Sequence, residues 1–84
     1  MTDDKVEIRL SLSRTLAITL ANKLREERVL LTRISNQWAA DLRGYDPESD
    51  PWIYANRQAD FFSTLADEAW NAAKEVVHQT ERQQ

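Results

Sequence analysis

The sequence predicts an all-α protein, an antiparallel two-helix hairpin. Three observations point there. Residues 13–43 contain no Gly or Pro and repeat apolar side chains at helical intervals. Residues 44–51 hold the single Gly and both Pro residues of the chain. Residues 51–79 then carry a second apolar stripe. A break this short returns a chain beside itself, antiparallel.

Taken in order, residues 1–4 are polar and expected to fray. Over residues 5–12, Val6, Ile8, Leu10 and Leu12 alternate with Glu7, Arg9 and Ser11. That period of two is the pattern of a half-buried β-strand. A helical reading competes with it. Asp4 and Glu7 have the spacing of a capping box, and Ile8, Leu12, Leu16 and Leu20 sit four apart. A strand here finds no second strand in the chain, so its partner would be its own copy in a dimer.

For the helix over 13–43, Ser13 is the expected N-cap, its hydroxyl accepting from an orphan backbone N–H. Leu16, Leu20, Leu24, Leu31, Ile34, Trp38 and Leu42 form its seam, interrupted at Glu27 and Arg28. Gly44 is the expected stop, in the left-handed conformation that Gly enters at low cost. Ile18, Val29 and Leu30 fall outside the seam.

The loop spans 44–50, with Asp50 as expected N-cap and Pro51 at the first helical position. In the helix over 51–79, Ala55, Ala59, Phe62, Ala66, Ala69, Ala73 and Val76 make a seam of mostly small residues. Small seam residues let two helix axes approach closely. Trp52, Ile53, Phe61, Leu65, Trp70 and Val77 widen the stripe. Residues 80–84 are a polar tail expected to fray.

The totals exclude several functions. Eighty-four residues make one domain with a modest core. There is no Cys and one His, which leaves no disulfide framework and no thiolate or His-rich metal site. No apolar run approaches a membrane span, and the acidic start does not resemble a signal peptide, so a cytoplasmic protein is expected. Residues 1–43 carry a balance of +2 and residues 44–84 one of −5, giving the net −3. The halves attract each other, or the acidic half engages a basic partner.

Catalytic chemistry is not written in the chain. Glu26, Glu27, Asp60, Asp67 and Glu68 are carboxylates on helices, but no Glu-x-x-His pair accompanies them. The single Gly rules out a Gly-rich phosphate loop. His78 near a helix end is explained by the helix dipole. The expectation is a protein with no catalytic, cofactor or metal residues. Trp38, Trp52 and Trp70 close a core or anchor an interface, where Trp is enriched. The sequence therefore reads as a non-enzymatic protein-binding module: an adaptor, inhibitor or regulatory subunit. Its candidate interface is Ile18, Val29, Leu30, Phe61 and Trp70. Two copies, pairing those residues, would form a four-helix bundle; another protein is the other expected partner.

A second reading rests on residues 5 to about 25. Val-x-Ile-x-Leu followed by a helix resembles the ribbon-helix-helix family of dimeric DNA-binding regulators and antitoxins. That resemblance implies paired strands in the major groove with Glu7, Arg9 and Ser11 facing outward, and Arg9, Ser11 and Arg14 as candidate DNA contacts. The chain departs from the pattern in having no turn to split residues 14–42 into two short helices. The hairpin length also resembles the small secreted WXG-type hairpins, but Trp38 is followed by Ala39 and Ala40 in place of their Trp-x-Gly turn.

Overall fold

The structure, a computed structural model, describes residues 6–82. Two long helices make up nearly all of it: α1, Arg14–Asp41, and α2, Asp50–Arg82. They pack against each other along their length, as the hairpin expectation requires. The expectations for residues 1–5 and for Gln83 and Gln84 lie outside the described residues.

Ser13 caps α1 as expected. Its backbone is extended and its Oγ accepts from the Leu16 N–H at 3.2 Å. The cap also explains why the chain before it is not helical, since Ser13 turns the backbone out of the helix. No strand forms among the described residues of the 5–12 segment either. Val6, Ile8 and Leu10 are exposed, and an ion pair links Glu7 and Arg9 at 3.8 Å. The alternating pattern is present, but a single chain offers no edge to satisfy a strand's backbone groups.

The end of α1 corrects a second expectation. The last turn tightens into a 3₁₀ turn over Leu42–Gly44, with the Leu42 N–H donating to Ala39 and Ala40 carbonyls. Gly44 is not left-handed; among the described residues the one positive φ belongs to Glu48, at 65°. Glu48 follows Pro47 in a turn closed by the Ser49 N–H donating to the Asp46 carbonyl at 3.1 Å. Pro at the second position and a positive φ at the third is the pattern of a type II turn. The reversal is thus made by the Pro47 turn.

The start of α2 is shifted by one residue from the expected Asp50 cap. Ser49 Oγ accepts from the Trp52 N–H at 3.4 Å, and the Ser49 carbonyl accepts from the Ile53 N–H at 2.9 Å. Asp50 becomes the first helical residue, where its charge suits the positive end of the dipole. At the far end α2 continues through Thr80 to Arg82, so those residues are helical and not the start of a frayed tail.

The core is built from small residues. Ala21, Ala55, Ala59, Ala66, Ala69 and Ala73 are its buried apolar side chains, and Ser35 is its buried polar one. Ser35 Oγ donates to the Ala59 carbonyl at 2.7 Å and ties the two helices together. Trp38 meets Tyr54 edge-on at 5.5 Å between ring centroids. Among the described residues no large side chain is fully buried. The molecule is a slab of 55 × 23 × 14 Å, two helices wide and one thick. Its radius of gyration is 16.6 Å, against about 12 Å for a compact domain of this length.

Candidate protein-binding surface

The alanine seam puts the larger apolar side chains on the flanks and the back. All five candidate interface residues are exposed: Ile18, Val29, Leu30 and Phe61 by about half, Trp70 by 39%. They do not form one patch. At about 100° per residue, Phe61 and Trp70 lie roughly 180° apart around α2. Leu30 and Arg28 are likewise on opposite sides of α1, about 200° apart.

Two contacts fix which side is which. The Arg28 guanidinium lies over the Trp70 ring, 4.9 Å from its centroid. That pair closes one flank, and it explains the charge that interrupts the α1 seam: Arg28 covers an aromatic ring of the other helix. The Trp38–Tyr54 contact marks the other flank. Tyr54 and Phe61, seven positions apart, share a stripe of α2, and Leu65 continues it. On α1, Trp38, Ile34 and Leu30 step toward the same side at intervals of four. Ile34, Trp38 and Leu65 are half-buried, whereas Leu30, Tyr54 and Phe61 are exposed. Phe61 also meets Phe62 edge-on at 5.3 Å.

The two flanks differ in chemistry. Beside Trp70 run Ser63, Asp67 and Lys74, and beside Arg28 run Arg25 and Thr32. That flank mixes these polar side chains with the Arg28–Trp70 pair and with Trp52 and Val77, half-buried on the Trp70 stripe. The Leu30–Phe61 flank is apolar through its centre. Ile18 and Val29, eleven positions apart and thus within about 20° of each other, lie on the back of α1, away from α2.

The DNA-contact candidates fall elsewhere. Arg9 is exposed and paired with Glu7. Ser11 and Arg14 line a cavity of about 420 Å³ at the open end of the hairpin, with Leu10, Leu12, Val76 and Thr80. The continuous 28-residue α1 has no place for the turn that a ribbon-helix-helix chain needs. Among the described residues no group of three or more His, Cys, Asp or Glu side chains converges as a metal site would. None of the helices is long and apolar enough to cross a membrane. No family model, curated protein or solved structure matches the chain.

The buried Ser35 and Ala21, and the Arg28–Trp70 pair, were not singled out by sequence reasoning. A search for large apolar residues passes over Ala and Ser. Ala21 does sit three and four residues from Leu24 and Ala17, a spacing that marks it as seam-compatible.

Proposed function

We propose that this chain is a non-enzymatic protein-binding module that acts through its helical surfaces. The observation that carries this reading is the inversion of sizes: alanines are buried while Leu30, Tyr54, Phe61 and Trp70 are left outside. Leu30, Tyr54 and Phe61 share one flank, and a contiguous exposed apolar patch of that kind marks an association site. The surface totals 7071 Å², against about 5,200 Å² for a compact monomer of this mass. That excess includes the unpacked segment before Ser13 as well as the helix faces, and it exceeds the roughly 800 Å² that one partner contributes to a specific interface. A second copy, forming a two-fold four-helix bundle, is one occupant of these faces; a helical surface of another protein is the other.

Photo-crosslinking residues placed at Ile18 and Phe61 of the full chain, in living cells, test the reading. It expects discrete protein adducts from at least one position. No adduct from either, together with a gel shift on duplex DNA that weakens steeply with salt and is lost in Arg9→Ala, would give the function to the DNA-binding alternative.

A further inference from the structure

We infer that the Leu30–Phe61 flank is a docking groove for a basic amphipathic helix of another protein. The inference rests on the protein-binding reading and names the chemistry of the partner. Two antiparallel helices leave a shallow trough between them, and a third helix lies in such a trough by its apolar face. Here the trough floor is Ile34, Trp38 and Leu65, with Leu30, Tyr54 and Phe61 as its walls. From Leu30 to Trp38 the apolar stretch is about 12 Å long, two helical turns.

Charge decides between occupants. Glu27 and Asp41 are each seven positions from Ile34, and Glu68 is seven from Phe61, so all three share this flank. All are exposed, and none is in an ion pair among the described residues. Lys23, also on this flank, is engaged with Glu26 at 3.3 Å. Arg57, one turn before Phe61, is the cation of the outer edge. The balance stays negative around an apolar centre. A second copy docked here would bring the same acids face to face. A helix with Leu-type anchors at i, i+3, i+4 and i+7 and Lys or Arg on its borders matches both the floor and the rim.

The test uses the full chain and a fluorescent synthetic peptide of about 20 residues, Leu on one helical face and Lys elsewhere. Anisotropy should show saturable one-to-one binding. Phe61→Ser, and separately the pair Glu27→Lys with Glu68→Lys, should weaken it about tenfold or more, whereas Asp67→Lys on the opposite flank leaves it unchanged. Circular dichroism verifies that each variant stays helical; if Phe61→Ser does not, Leu30→Gln takes its place. Equal binding of a scrambled peptide of the same charge overturns the inference, because charge alone would then suffice. So does equal binding of an acidic amphipathic peptide. Sedimentation equilibrium across the micromolar range should give a 9.8 kDa monomer. A dimer that Phe61→Ser returns to monomer would assign the flank to a second copy. That result overturns the basic-helix partner and leaves the protein-binding reading standing.

Discussion

Replacing Ser35 by Ala isolates the one side-chain hydrogen bond between the helices among the described residues. The Ser35 hydroxyl is buried and donates to the Ala59 carbonyl at 2.7 Å. A hydrogen bond of this kind contributes a net of about 0.5–1.5 kcal/mol. The Ala59 carbonyl lies inside α2 and keeps its intrahelical partner, so no acceptor is orphaned by the change. Ala is the better helix former, which offsets at most about 0.5 kcal/mol of the loss. The net expectation is a destabilisation centred near 0.5 kcal/mol and reaching about 1 kcal/mol, a fall in melting temperature of roughly 2–8 °C for a chain of this size. Thr32→Ala is the matched control. Its hydroxyl also donates to a backbone carbonyl, Arg28 at 2.8 Å, but within one helix and in water. That change should stay within about 0.5 kcal/mol of the parent. Urea unfolding followed by circular dichroism, with an unchanged m-value, reads both. If Ser35→Ala is as stable as the parent, or moves no further than Thr32→Ala, the hydroxyl does not join the helices and the account of the core is wrong.

Other substitutions test the turn, the cap and the seam. Gly44→Ala should stabilise by about 0.4–1 kcal/mol in thermal melts, because a Cβ there meets nothing within 4 Å and the φ is not positive. Glu48→Gly should also stabilise, by about 0.5–1 kcal/mol in the same melts, since φ 65° strains a residue with a Cβ. Ser13→Ala should cost about 1 kcal/mol in urea unfolding through loss of the cap to Leu16. Ala73→Leu should cost about 1–3 kcal/mol, read as a lower urea midpoint, because a fully buried seam position has no room for the added methylenes.

The second helix was the more legible of the two. Each of its seam residues is buried or half-buried, because every seam position carries an apolar side chain and the period has no gap. On the first helix the same procedure kept Leu16, which is half exposed, and passed over Ala21 and Ser35. Close helix approach favours small side chains at the contact, so a reading weighted toward Leu looks beside the true line. The off-seam residues were legible as exposed, but their division between two flanks and the back needed the Arg28–Trp70 and Trp38–Tyr54 contacts. At the turn, the left-handed residue is Glu48, next to Pro47, and not Gly44. Local preference pointed to the Gly, but the reversal depends on where Pro fixes the backbone. The alternation of residues 6–12 left strand and helix as competing readings, and the described residues adopt neither, since a strand also needs an edge that pattern cannot supply.

The contacts between the helices form a ladder, and the ladder has an order in time. Trp38 and Tyr54 are sixteen positions apart, Ser35 and Ala59 are 24 apart, and Arg28 and Trp70 are 42 apart. The loop each rung must close lengthens toward the open end, adding only about 0.6 kcal/mol per doubling once the rungs are taken alone. With the inner rungs in place, each further rung closes only the few residues beyond the last. Folding of this hairpin therefore runs as a zipper from the Pro47 turn outward, and opening runs back the same way. Amide hydrogen exchange should rise from the Trp38–Tyr54 end toward Ala17 and Val76, so that the two chain ends separate many times for each complete unfolding.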